Sequence, residues 1–133
     1  MARNASVERF KKLTEDLQKE IHDGGVVELN VQATDLAQLI ESVAPVREGT
    51  LAHTVKVVPG KKDTIVRIVA GGQETVRPGV SSKPYDYARA DEFGTQKMPA
   101  KPFFFSTYRL RKKKIIAAMK RKITASIKKR SAE

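Results

Sequence analysis

The chain has 133 residues, 40% hydrophobic and 31% charged, with no Cys and a formal net charge of +11. That length suits a single domain (residues 1–133) with one modest core, and the apolar content is too high for wholesale disorder. Disulfides, thiolate metal sites and a Cys nucleophile are excluded, and no apolar run approaches the roughly 18 residues that suggest a membrane span.

The charge is unevenly spread. Residues 1–100 carry 14 Lys/Arg and 14 Asp/Glu, whereas residues 101–133 carry 12 Lys/Arg and one acid, Glu133. A patch this concentrated attracts polyanions or an acidic partner surface. The opening MARNASVERFKK has no apolar h-region, so no secretory signal is expected.

Ser6 is a candidate helix cap, followed by Val7, Phe10, Leu13, Leu17 and Ile21 in steps of three or four. That spacing predicts an amphipathic helix over about 6–23, ended by Asp23-Gly24-Gly25. Residues 26–34 fit either element: VVELNV is β-branched, yet Val26, Leu29, Ala33, Leu36, Ile40 and Val43 recur at helical spacing. A second helix is expected over about 35–43, stopped at Ala44 by Pro45.

Strands are expected over about 51–58, where Leu51, His53, Val55 and Val57 alternate, and over 64–70 (TIVRIVA). With the Pro59–Asp63 turn they predict a β-hairpin. Residues 71–84 are Gly, Ser, Pro and charge, which reads as a mobile surface loop. A third strand is expected over about 85–93. Pro99 and Pro102 then bracket an extended segment, because each proline fixes its own φ and restricts its predecessor. A basic helix over about 106–129 has Leu110, Ile115, Ile116, Met119, Ile123 and Ile127 as its apolar face. The expected fold class is α+β: a small, mainly antiparallel sheet packed with N-terminal helices and a long basic C-terminal helix. Its short strands leave edges open to other subunits.

No catalytic arrangement stands out. His22 and His53 have no neighbours at metal-ligand spacing, and there is no Ser/His/Asp pattern, P-loop or dinucleotide fingerprint. Asp91 and Glu92 would point to opposite faces of a strand. Neither an enzyme nor a cofactor or metal is expected. The basic helix has two readings: a solvated face or contact with an acidic protein surface, and a phosphate-binding element built on Arg111, Lys112, Lys113, Lys114, Lys120, Arg121 and Lys122. It lacks the Trp/Phe anchors of a membrane-surface helix, and no membrane partner is expected.

The stretch Tyr85–Tyr108 holds four of the five Phe and all three Tyr. Two blocks, Ala44-Pro-Val-Arg-Glu-Gly-Thr-Leu51 and Tyr87-Ala-Arg-Ala-Asp-Glu-Phe-Gly-Thr-Gln-Lys-Met-Pro-Ala-Lys-Pro-Phe-Phe104, together resemble the neck and tail-completion proteins of long-tailed bacteriophages. The resemblance spans roughly 35–129, and the second block is the more specific. The chain departs from the family pattern at Arg47-Glu48-Gly49, where Asp-Thr-Gly is usual, and at Phe105-Ser106-Thr107, where Arg-Pro-Ala is frequent. The resemblance implies a virion structural protein of the head–tail junction, assembled in the host cytoplasm as a ring, usually of six. It would complete or terminate the tail and contact tail-tube and head-connector proteins, with non-specific contact to phage DNA. Glu92, Phe93, Gly94, Thr95, Lys97, Met98, Pro99, Pro102 and Phe103 are then the candidate assembly residues. A free nucleic-acid-binding protein using the basic helix is the alternative.

Overall fold

A computed structural model describes residues 2–46, 49–79 and 83–132. Arg47 and Glu48 of the Ala44–Leu51 block, and residues 80–82 of the expected loop, lie outside the described residues. The fold is α+β: a long N-terminal helix, two small antiparallel sheets and a long C-terminal helix.

Helix α1 runs unbroken from Ala2 to Val43. Ser6 therefore lies inside the helix, and Asp23-Gly24-Gly25 does not end it. Two interior glycines cost about 1–2 kcal/mol relative to alanine, so packing must outweigh local preference. At Gly24 the reason is visible: a Cβ there would sit 3.4 Å from Lys122 Cε and 3.5 Å from Ser126 Oγ of the facing helix. Gly25 has nothing within 4 Å of such a position, and no contact explains it. Residues 26–34 are helical, with Ala33, Leu36, Ala37 and Ile40 buried on one face. The helix stops before Ala44-Pro45, as the proline rule requires.

The expected strand 51–58 divides. Thr50–Thr54 forms a short helix, α2, whose buried residues Leu51 and Thr54 are three apart. That spacing is helical, and alternation would have put them on opposite faces. Only Lys56–Pro59 is a strand, β1. It pairs antiparallel with β2, Val66–Val69, in the register Lys56↔Val69 to Pro59↔Val66. The hairpin read from the sequence is therefore present. His22 of α1 meets Asp63 of its turn at 2.7 Å, fastening the hairpin tip to the helix.

The segment expected as a loop contains structure. A 3-10 turn, Gln73–Thr75, leads into β3, Val76–Pro78, which pairs with β4, Pro84–Asp86. The single sheet expected is thus two separate two-stranded sheets. Thr75 is completely buried. Its hydroxyl donates to Asp86 Oδ1 at 2.6 Å and accepts from Gly72 N–H at 3.1 Å. A few ångströms away, Thr54 Oγ1 accepts from Gly71 N–H at 2.8 Å. Polar side chains, rather than apolar bulk, hold this segment to the body.

The expected third strand is mostly helix. After β4, Tyr87–Phe93 forms α3, and Asp86 Oδ1 accepts from Ala88 N–H to cap it. Tyr87, Ala88, Asp91 and Glu92 are its buried residues, spaced one, three and one apart as one side of a helix requires. Helix α4, Phe105–Ala132, agrees with the basic helix expected. It lies antiparallel along α1, since Phe104 and Ile115 share a groove with Leu29 and Ile40 while Arg130 bonds Glu20. Leu36, Ile40, Ala44, Leu51, Tyr87, Ala88 and Phe103 form the core where α1, α2, α3 and the start of α4 meet. No described helix is long and apolar enough to cross a membrane.

Candidate assembly surface at the joint of α3 and α4

Glu92 organises the joint. It is buried on α3, and its carboxylate accepts three backbone N–H bonds: Oε2 from Phe103 and Phe104 at 2.9 Å each, and Oε1 from Phe105 at 3.0 Å. Helix starts carry unpaired donors and positive partial charge, so a carboxylate there is stabilising twice over. Bonds to charged acceptors are also the strong ones. Glu92 thereby fixes where α4 begins and how it leaves the core.

The rest of the Glu-Phe-Gly-Thr block serves the same geometry. Gly94 adopts φ 78°, and a Cβ there would lie 2.8 Å from Ala100 N, so both backbone and space demand glycine. Thr95 Oγ1 accepts from Met98 N–H at 3.1 Å, and Thr95 N–H donates to Met98 O at 2.9 Å, closing the turn. Lys101 N–H donates to Asp91 O at 2.6 Å, returning the chain to α3. Pro102 precedes Phe103, whose ring is buried and whose carbonyl accepts from the buried Thr107 hydroxyl.

The candidate assembly residues therefore separate. Glu92 and Phe103 are buried and build the joint; Gly94, Thr95 and Pro102 shape the backbone between them. Phe93, Lys97, Met98 and Pro99 are exposed, Phe93 to 64%. The Phe93 ring lies 6.2 Å from that of Phe105, itself exposed, and Phe105 packs edge-on against Phe104 at 5.2 Å. Next to them opens an apolar groove of about 400 Å³, with Leu36 and Ile40 as floor, Val66 and Ile68 on one wall, and Phe104 and Ile115 on the other. Phe105 and Tyr108, which also line it, were not singled out from the sequence, although three consecutive Phe cannot all face one core.

The basic candidates also separate. Arg111 is half-buried, and Lys122 lies against Gly24 of α1. Lys112, Lys113, Lys114, Lys120 and Arg121 are exposed. The predicted apolar face of α4 splits too: Ile115 and Met119 turn to α1 and the hairpin, while Ile116, Ile123 and Ile127 are exposed and Leu110 is 80% exposed. At the far end Glu20 accepts from Arg130 at 2.7 Å with Lys129 at 3.7 Å. The Arg130 hydrogen bond, opposed by burial and helped by the charges of Arg130 and Lys129, holds the Glu20 carboxyl below its ordinary value. The described residues contain no group of three or more His, Asp or Glu placed to hold a metal ion.

Comparison of the chain with protein-family models, curated proteins and solved structures finds no match.

Proposed function

We propose that this protein is a structural subunit of a tailed phage, acting at the head–tail junction in a ring that completes or terminates the tail. The likeness of the Ala44–Leu51 and Tyr87–Phe104 blocks to neck and tail-completion proteins supports the phage half of this reading. One observation carries the assembly half of the reading: the chain exposes 10079 Å². A compact monomer of this size exposes about 7,000 Å². The excess, about 3,000 Å², is more than the roughly 1,600 Å² that a subunit contacting two neighbours buries at about 800 Å² per partner surface, so it leaves ample surface for such contacts.

The uncovered surface is also of the right kind. Phe93, Met98, Phe105 and Tyr108 crowd the joint, and Val7, Phe10 and Leu13 line the projecting start of α1. Contiguous apolar surface of this sort marks interaction sites. The free edges of two short sheets offer backbone pairing to a neighbour. Glu92 fixes the direction of α4, so every copy would present the same faces, as a closed ring requires.

Light scattering across a concentration series, with negative-stain microscopy of the largest species, tests assembly. Antibody labelling of virions from the source strain tests location. The expected results are closed rings, or rings formed on isolated tails, and label at the neck. Absence from purified virions and failure to associate with tails or connectors would overturn the reading.

A further inference from the structure

We infer that the side of α4 turned away from α1 is a binding surface for the phosphate backbone of duplex nucleic acid. The inference is independent of ring assembly. The contacts to α1 define the inner side of the helix: Ile115, Lys122, Ser126 and Arg130 follow one another at helical spacing. At 100° per residue, Arg109, Lys113, Lys120 and Lys128 fall on the other side, and all four are exposed. They extend over about 28 Å at 1.5 Å per residue. No Asp or Glu occurs anywhere in residues 105–132. Among the described residues none of the four cations is in an ion pair. Of the nearby carboxylates of α1, Glu20 holds Arg130 and Lys129, Asp16 and Asp23 line the groove at that contact, and Glu28 shares a small groove with Ala118, Arg121 and Lys122.

The shape of the surface selects the partner. Cations are strung along a rigid rod instead of converging in a pocket, which matches a line of phosphates better than a single anion. Ala117 and Thr124 lie between them and add little bulk, and the one large apolar side chain in line with Lys128, the exposed Leu110, sits at the end of the row near Arg109. No aromatic residue lies on this side, so bases have nothing to stack on, and duplex is favoured over single strand. Contact to phosphates alone positions without reading sequence. The exposed Ile116, Ile123 and Ile127 border this row, with Ile127 five turns from Arg109 and in line with it. They make an anionic membrane the rival occupant, and an acidic protein surface is the other.

The test is fluorescence anisotropy of the full chain with two unrelated 30-base-pair duplexes from 50 to 300 mM salt. The variant changes Arg109, Lys113, Lys120 and Lys128 to Gln. A charge-matched control changes the exposed Lys11, Lys12, Lys61 and Lys62 to Gln, and thermal melts confirm that both fold. Both duplexes should bind equally. The α4 variant should bind at least about tenfold more weakly at 100 mM salt, and its log–log salt slope should be shallower by about 3 to 4, near 0.9 per lost phosphate contact. The control should change by less than half as much. Equal loss in the control, an unchanged slope, tighter binding to polyglutamate, or tighter binding to phosphatidylserine vesicles than to duplex would each overturn the assignment.

Discussion

The joint of α3 and α4 and the far end of the α1–α4 pair are built from opposite materials. At the joint the buried Glu92 is tied to three backbone N–H groups, and before α3 Thr75 is tied to Asp86 and Thr54 to Gly71. At the far end, apolar side chains are left in solvent, with Phe10 at 69%, and a surface ion pair is the main tie between the helices. The first arrangement specifies one conformation of a single chain. On the proposed reading, a neighbouring subunit covers the second. Changes to the buried polar groups should therefore be read in stability, and changes to the exposed apolar side chains at the far end in association.

Glu92→Ala should have the largest effect. It leaves three donors near the start of α4 without their acceptor in a buried site, a loss on the order of 3 kcal/mol. Glu92→Gln keeps the shape and one acceptor oxygen but turns an amide N–H₂ toward another donor, so it should lose roughly half as much. Urea unfolding measures both. An Ala variant within about 0.5 kcal/mol of wild type would show that the carboxylate does not hold the joint. Thr75→Val comes next: nearly isosteric, it removes the donor to Asp86 and the acceptor for Gly72, at about 2 kcal/mol. Hydrogen exchange should then speed up at Gly71 and Gly72 before it does in α1.

These predictions also show how far the sequence could be read. The hairpin and α4 were legible because TIVRIVA and the isoleucine spacing of residues 115–127 report a single element each. Helix α1 was not, because Gly24-Gly25 reads locally as a stop, and only α4 lying against Gly24 shows why the chain continues. Helix α3 was missed because Tyr, Phe and Asp are poor helix formers, although Asp86 is a proper cap one residue before it. The joint was legible as a block, through Pro99 and Pro102 bracketing an extended segment, while the positive φ of Gly94 was not. The role of Glu92 was out of reach, since its partners lie 11 to 13 residues further on and no periodicity connects them. Nor does any pattern in the sequence tell an apolar stripe that is covered from one that is not.

Val7, Phe10 and Leu13 form such an uncovered stripe at the start of α1. Changing Val7, Phe10 and Leu13 together to Ser removes apolar side chains that are already in water, so the isolated subunit should keep its stability within about 0.5 kcal/mol, apart from small helix-propensity costs. Assembly measured by light scattering should be abolished or shifted to much higher concentration. A drop of several kcal/mol in the subunit, with assembly unchanged, would mean that the projecting start of α1 packs within its own chain.

The smallest effect concerns the tie at the far end. The Glu20 carboxyl is held below its ordinary value of 4.5, chiefly by the Arg130 hydrogen bond. A carboxylate depressed in the folded state contributes stability that is fully present above the unfolded value and is lost as pH falls through the lower folded one. The contact is therefore intact at neutral pH and disappears only below about 4.5. Because the pair sits at the surface, its loss should loosen the end of α4 without unfolding the body. Amide exchange at Ser126–Arg130, corrected for intrinsic pH dependence, should lose protection as pH drops from 5.5 to 3.5. Glu20→Gln should show that reduced protection already at pH 7 and remove the pH step. A step that persists in Glu20→Gln would place the responsible carboxyl elsewhere on α1.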